Sequence, residues 1–136
     1  MIHVKSYAFN GTALYNNAKE NNIFYIDNCL IKAGMLDEGS VEEFSFKEGT
    51  TVIAVYAFKA CYNLSSIVIP QSIVSIEEHA FHYCQSLSNI TYEGTIDQWN
   101  NIVKGSRWYG EYIDEYEDGT IPAKVVHCTD GDINIK

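Results

Sequence analysis

The chain has 136 residues, of which 46% are hydrophobic, so it is long enough for one domain with a sizeable core. Nine Lys and Arg residues stand against eighteen Asp and Glu residues, which gives a formal net charge of −9. This balance leaves no basic stripe for nucleic-acid phosphates and disfavours adsorption to anionic membranes, so we expect neither partner.

The amino-terminal stretch MIHVKSYAFN has no apolar run long enough for the core of a signal peptide. No window of the sequence approaches the length of a transmembrane helix, and we therefore expect a cytosolic protein or an excised piece, without membrane insertion. The cysteines are widely spaced and include no Cys-x-x-Cys pair, so they do not indicate a disulfide framework: Cys29, Cys61, Cys84 and Cys128.

Residues 22–33, NIFYIDNCLIKA, are predicted to form a β-hairpin. Two apolar runs flank Asp27 and Asn28, and this pair of residues favours a tight turn.

A repeat of 23 residues organises the middle of the chain. AFKACYNLSSIVIP begins at Ala57 and AFHYCQSLSNITYE begins at Ala80, and the same residue types recur in the same order, 80 − 57 = 23 positions later. A period of this size is typical of a solenoid, in which each repeat covers the apolar face of the next. Stepping by 23 predicts three stacked parallel strands, at residues 44–46, 67–69 and 90–92.

Side chains alternate along a strand, so Ile67 and Ile69 are expected to point into the core. The outward face is mostly small and polar, and its rows are Glu43, Ser45 and Lys47; Ser66, Val68 and Pro70; and Asn89, Thr91 and Glu93. A second apolar set lies between the strands, at Ile73, Ile76, Ala80, Phe81, Cys84 and Leu87. Because a repeat must also fit two bends and a return path, residues 77–84 are predicted to form one or two helical turns.

The carboxy-terminal part is predicted to cover the end of the repeats. Thr95 and Gln98 fit a capping box, and the apolar residues of the helix that it opens share one face: Ile96, Trp99, Ile102 and Val103. Trp99 and Trp108 are expected in the core of this cap. Residues 110–119 form an acidic, tyrosine-rich loop or hairpin arm, and residues 123–128 a final strand that ends at an Asp130-Gly131 turn.

The pattern IxxxAFxxCxxLxxIxIP, from Ile53 to Pro70 and less perfectly from Ile76 to Glu93, resembles the BspA-type leucine-rich repeats, also called the Treponema pallidum type. YAFNGTALYNN at 7–17 resembles an earlier repeat, and the hairpin is interpreted as an insertion because Ala8 and Ala57 are 57 − 8 = 49 residues apart, which is not a multiple of 23.

The resemblance implies an α/β solenoid: a short right-handed leucine-rich-repeat coil with a parallel β-sheet face, few helices and a capped carboxy-terminal end. We divide this single domain, 1–136, into an irregular amino-terminal unit at 1–43, regular repeats at 44–93 and a cap at 94–136.

Proteins with such repeats are typically surface or secreted bacterial proteins, also found in some protozoa, and are associated with adhesion to host proteins and with contact between cells. The resemblance therefore implies a non-enzymatic module that binds a protein partner and needs no cofactor or metal. A terminal piece of a longer array remains an alternative, and the oligomeric state stays open. The candidate binding residues on the sheet face are Glu43, Ser45, Ser66, Val68, Asn89 and Thr91.

A second hypothesis is a small thiol or metal-dependent enzyme that uses Cys84 with His79 or His82, since thiolate and imidazole can hold zinc or act as nucleophile and base. Cys61 and Cys84 occupy the same repeat position, which favours buried apolar rungs instead. Neither histidine recurs at a distance of 23 residues.

Two acidic stretches are weaker candidates. Asp130, Asp132 and Asn134 match the opening of a calcium loop, but Ile135 stands where the loop needs glycine, so a turn and a frayed tail are predicted. The acidic residues of 110–119 are interpreted as a solvated face, with partner contact through the tyrosines as the alternative. His3 and His127 are given no role.

Overall fold

The computed structural model of the protein describes residues 23–34 and 38–135, and this part consists mainly of short strands. The strands are β1 (Ile23–Ile26), β2 (Cys29–Ala33), β3 (Val52–Ile53), β4 (Ser66–Ile69), β5 (Ser75–Ile76), β6 (Asn89–Tyr92), β7 (Val103–Lys104), β8 (Tyr112–Asp114), β9 (Glu117–Asp118), β10 (Val125–Cys128) and β11 (Gly131–Asn134). A 3-10 turn covers Glu38–Ser40, and the helix α1 covers Ile96–Asn101.

These strands form three sheets. A five-stranded sheet has the order β1-β2-β3-β5-β7, a four-stranded sheet has the order β11-β10-β6-β4, and β8 pairs with β9. The core fills the space on the inner side of the two larger sheets, where Ile67 and Ile69 of one sheet and Ile53 and Ile76 of the other belong to one cluster of buried side chains.

Both larger sheets follow the 23-residue period. In the four-stranded sheet Ile67 of β4 pairs in parallel with Ile90 of β6, and in the five-stranded sheet Ile53 of β3 pairs in parallel with Ile76 of β5. Within each pair the two residues are 23 positions apart, since 90 − 67 = 23 and 76 − 53 = 23. Successive repeats are therefore stacked in register, as the sequence predicts.

The second apolar set lies in the core as predicted, because none of its six side chains is more than 2% exposed. The rings of Phe58 and Phe81, at equivalent repeat positions, are stacked with 4.8 Å between their centroids and 6° between their planes. This distance equals the spacing of hydrogen-bonded neighbouring strands, so the rings follow the same ladder as the backbone.

The prediction of a third strand at residues 44–46 is wrong. Phe44 and Phe46 keep the inward position and pack edge-on against Phe58, with centroids 4.9 and 6.0 Å away. The backbone nevertheless makes no ladder with β4, and the Lys47 amide donates to the Tyr25 hydroxyl at 3.1 Å. In the next pair of repeats the Glu93 amide donates to the Ile69 carbonyl, but the equivalent donor for the Phe46 carbonyl would be Pro70, which has no amide hydrogen.

The prediction of helical turns at residues 77–84 is also wrong, because this stretch forms successive hydrogen-bonded turns. His79 and Tyr83 have φ values of 56° and 62°, and the equivalent Tyr56 and Ala60 of the preceding repeat both have 60°. A left-handed residue every four positions interrupts a right-handed helix. The strained positions thus recur with the repeat, although none of them is glycine.

These turns are held by bonds between repeats. The Phe58 amide donates to the Ala80 carbonyl and the Ala60 amide donates to the His82 carbonyl, each at 2.8 Å. Backbone groups that a helix would satisfy internally are satisfied here by the neighbouring repeat, which explains how the left-handed residues are tolerated.

The predicted hairpin is confirmed, with β1 and β2 antiparallel around a turn at Asp27, whose φ is 50°. Its interpretation as an insertion is wrong for β2. Leu30 of β2 pairs in parallel with Ile53 of β3, and these residues are 53 − 30 = 23 positions apart. β2 is therefore a strand of the repeat itself.

The capping box of α1 is confirmed. The Gln98 amide donates to the Thr95 hydroxyl at 3.2 Å, and the Thr95 amide donates to the Gln98 side-chain oxygen at 2.8 Å. Trp99 and Ile102 are buried, but Val103 is 59% exposed, so the four predicted apolar residues do not share one buried face. The helix ends at Asn101, and Val103 enters β7 beside Ser75.

The predicted final strand is β10, which pairs in parallel with β6 through Val126 and Ile90. The prediction of a frayed tail after it is wrong, because residues 131–134 return as β11. Gly131 accommodates the turn with a φ of 144°, and Ile133 is half-buried against the core. This apolar contact and the ladder with β10 hold the segment in place.

Candidate functional site

Four of the six predicted binding residues lie together on the outer face of the four-stranded sheet. Ser66 pairs with Asn89, and Val68 pairs with Thr91, in the parallel ladder of β4 and β6. The alternating burial of these strands turns the four side chains away from the core, and Val68 is 49% exposed.

The structure does not place the other two in this ladder. Glu43 and Ser45 are exposed, but they precede β3 in a stretch without strand pairing. Glu43 and Ser45 were predicted to bind because a strand was expected at residues 44–46. Without that strand they are not part of the sheet face.

The sheet face extends across the carboxy-terminal hairpin, where it includes two residues that the sequence analysis missed. His127 of β10 pairs with Thr91 of β6 and with Asp132 of β11. One row thus runs across four strands, through Val68, Thr91, His127 and Asp132. Because side chains alternate along a strand, the buried Val126 could have identified His127 as an outward residue. No local feature of the sequence predicts that Asp132 lies beside it.

This row has a definite chemical character. Val68 supplies an apolar surface and Thr91 a hydroxyl group, while His127 Nδ1 and Asp132 Oδ1 lie 2.7 Å apart. The face therefore offers one apolar contact and several donors and acceptors on a paired backbone. We call the residues Ser66, Val68, Asn89, Thr91, His127 and Asp132 the sheet-face patch.

Two surface hollows lie away from this patch. One of about 210 Å³ is lined by residues that include Gln71, Tyr92 and Gln98, and one of about 270 Å³ by residues that include Arg107 and Tyr112. The residues of the sheet-face patch line neither hollow.

The cysteine proposed for a thiol enzyme, Cys84, is fully buried. Cys84 has no exposed surface, and its thiol donates to the Phe58 carbonyl at 2.9 Å. Burial raises the pKa of the Cys84 thiol well above its ordinary value. A nucleophilic cysteine needs the opposite, a lowered pKa and access to substrate, so the arrangement favours the interpretation as a core rung.

The two histidines are engaged elsewhere. Nδ1 of His82 accepts a hydrogen bond from the Glu111 amide at 3.0 Å. Nε2 of His79 lies 3.7 Å from a Glu111 carboxylate oxygen and 3.9 Å from one of Glu78. Among the residues that the structure describes, no group of three or more His, Cys, Asp or Glu side chains could hold a metal ion.

The calcium-loop residues also have structural partners. Asp130 accepts a hydrogen bond from the Ile96 amide at 2.9 Å, and Asp132 contacts His127. Asp130 thereby supplements the cap at the start of α1.

Residues 110–119 form a hairpin, as predicted, through β8 and β9, and we call this segment the acidic arm. Asp114 accepts hydrogen bonds from the amides of Tyr116 and Glu117 at the tip, at 2.8 and 2.9 Å. Tyr116 is 87% exposed, whereas Trp99 and Trp108 are at most 5% exposed and lie in the core as predicted.

Comparison with known families supports the resemblance seen in the repeats. The model of the BspA type leucine rich repeat region, described with six copies, matches residues 30–103, more than half of the 136-residue chain. No curated protein and no solved structure matches the chain. Within the described residues, no helix is both long enough and apolar enough to cross a membrane. The start of the family match at residue 30 agrees with β2 as a repeat strand, and the chain belongs to the BspA-type leucine-rich-repeat family.

Proposed function

We propose that the chain is a non-enzymatic protein-binding module of the adhesion type, in which a short right-handed solenoid presents the sheet-face patch to a protein partner. Leucine-rich repeats of this family commonly mediate contacts between proteins. The observation that carries the proposal is the row of outward side chains in register across four hydrogen-bonded strands.

The backbone behind the patch supports a binding role. Each outward residue alternates with a buried one, and Ile67, Ile90 and Val126 are at most 2% exposed. A backbone fixed in this way loses little conformational entropy on binding, which favours affinity for a preformed partner surface.

The chemistry of the patch favours a protein over other ligands. Hydroxyl, amide, imidazole and carboxylate groups surround an exposed valine, the mixture that protein interfaces use around an apolar contact. The net charge of −9 opposes a polyanionic ligand.

We also propose that residues 1–136 form one domain, in which the repeats begin at β2 and continue to residue 93 and a cap follows at 94–136. The packing of Trp108 on Phe81, with ring centroids 6.0 Å apart, supports the cap. Trp99 continues this cluster, 5.7 Å from Trp108. Aromatic residues at this position shield the last repeat from water.

The test uses the intact protein as bait in a pull-down from candidate host or cell-surface proteins, with each captured partner then measured by direct binding. Val68→Arg and Thr91→Arg place a long charged side chain in the middle of the patch, so we expect each to abolish capture and leave the circular dichroism spectrum unchanged.

Val103→Arg is the matched control, because Val103 is a 59% exposed valine on β7 in the other sheet. This variant should bind like the unmodified protein. Unchanged binding by both patch variants, or equal loss in the control, contradicts the proposal and directs attention to the acidic arm.

A further inference from the structure

The acidic arm is attached to the repeats at its root. The Glu111 amide donates to His82 Nδ1 at 3.0 Å, and the Tyr83 amide donates to the Gly119 carbonyl at 2.9 Å. The Gly119 amide donates to the Glu111 carbonyl at 2.8 Å, so the two ends of the arm are also bonded to each other. His82 and Tyr83 thus hold both ends of the arm.

The fit around the imidazole of His82 is close. A Cβ atom on Gly119 would lie 2.3 Å from His82 Cε1, so the backbone of the arm lies directly against the ring. His82 is only 7% exposed, and its ring centroid lies 4.2 Å from that of Tyr83 and 6.1 Å from that of Tyr56. The contact is therefore largely shielded from water.

The hydrogen bond fixes the protonation state of the ring. A backbone amide can only donate, so Nδ1 of His82 carries no proton while the bond to Glu111 exists. Protonation would place two N–H groups face to face at a separation of 3.0 Å. The bond would be lost, and a cation would be left in a shielded position.

On balance, the surroundings of His82 disfavour the protonated form of its ring. Burial is the largest effect that lowers the pKa of His82, and His79 in the same turn and Lys59 in the preceding repeat act in the same direction. Glu111 and Glu117 of the arm act in the opposite direction. Arg107 lies 2.9 Å from Glu111 and takes up part of its charge.

We propose that His82 is a pH-dependent latch: the neutral ring holds the acidic arm against the repeats, and protonation in an acidic medium releases the root of the arm. Because the group is held neutral in the closed state, the latch is fully closed above the ordinary histidine pKa of about 6.5 and weakens as the pH falls below it.

Contacts on the core side of the arm limit which residues move when the arm is released. The Ile121 amide donates to the Tyr109 carbonyl at 3.0 Å, and this bond does not involve His82. Gly110, with a φ of 101°, lies between this bond and the latch and provides the hinge. Release therefore moves residues 111–119 and leaves the neighbouring core in place.

Nuclear magnetic resonance of the intact protein tests the latch without knowledge of a partner. We expect the protection of the Glu111 and Tyr83 amides against hydrogen exchange, corrected for intrinsic rates, to fall about tenfold between about pH 7.5 and pH 5, the change expected for one lost hydrogen bond. The fall should begin near the ordinary histidine pKa of about 6.5 and should end where the His82 ring nitrogens titrate in the closed state. The Ala123 amide, bonded to the Leu87 carbonyl, is the internal reference.

Two variants separate the latch from general acid sensitivity. His82→Gln retains an acceptor for the Glu111 amide but does not titrate, so its arm should show no pH response. His79→Gln removes a neighbouring side chain that lowers the pKa of His82, and this variant should keep the response with its midpoint at higher pH.

The proposal is overturned if amide protection in the unmodified protein stays constant while His82 titrates, or if His82→Gln shows the same fall. Should His82→Gln not fold, the titration of the unmodified protein alone decides the question.

Discussion

Replacement of Phe81 by alanine should remove a close aromatic contact between successive repeats. Phe81 has no exposed surface, its ring stacks on Phe58 at 4.8 Å, and it packs edge-on against Trp108 at 6.0 Å. Truncation of a buried phenylalanine to alanine lowers the free energy of unfolding by about 3–5 kcal/mol, and each aromatic pair contributes about 0.5–1.5 kcal/mol beyond burial. We expect a loss near the upper end of this range, about 5 kcal/mol.

A loss of this size is comparable with the whole stability of a small domain, about 5–15 kcal/mol. Urea unfolding followed by tryptophan fluorescence measures the free energy of unfolding, and Phe81→Leu, which keeps most of the volume, provides a measurable intermediate. Tyr116→Ala is the control at an 87% exposed position and should change stability by less than about 0.5 kcal/mol. A loss below about 1 kcal/mol for Phe81→Ala would refute the stacking of the two rings in the core.

Further predictions address the core thiols, the helix cap and the arm. Cys61 and Cys84 should not react with a thiol reagent in the native protein, because both are fully buried; a fast reaction at Cys84 would favour the enzyme hypothesis. Thr95→Ala should lower the free energy of unfolding by about 1 kcal/mol through loss of the capping box, whereas Asn100→Ala on the exposed side of α1 should not; equal effects would contradict the role of the cap. Gly119→Ala should expose the amide of Glu111 to hydrogen exchange at neutral pH, because the added methyl group collides with the ring that holds the arm; unchanged protection would argue against close packing there.

The register of β4 and β6 was predictable because the repeat fixes the offset between Ile67 and Ile90. Alternation then identified Ser66, Val68, Asn89 and Thr91 as outward residues. This reasoning uses only local patterns, and it succeeds where neighbouring repeats have similar side chains.

The same reasoning failed where contacts are not local. The strand expected at residues 44–46 is absent, and in its place the rings of Phe44 and Phe46 cross and the hydroxyl of Tyr25, distant in sequence, accepts a hydrogen bond from the Lys47 amide. The left-handed turns at His79 and Tyr83 carry no glycine signal, since bonds to the neighbouring elements maintain them. Asp132 joined the sheet-face patch through a hairpin pairing that the Asp130-Gly131 turn alone did not establish.

Stacking of successive repeats in register is the basis for the sheet-face patch and for the turn that carries His82. Nuclear Overhauser contacts in the isotope-labelled protein test it most directly. We expect cross-strand contacts between Ile67 and Ile90 and ring-to-ring contacts between Phe58 and Phe81. Contacts of Ile67 with a residue other than one 23 positions away, without the Phe58 to Phe81 contact, would contradict the account.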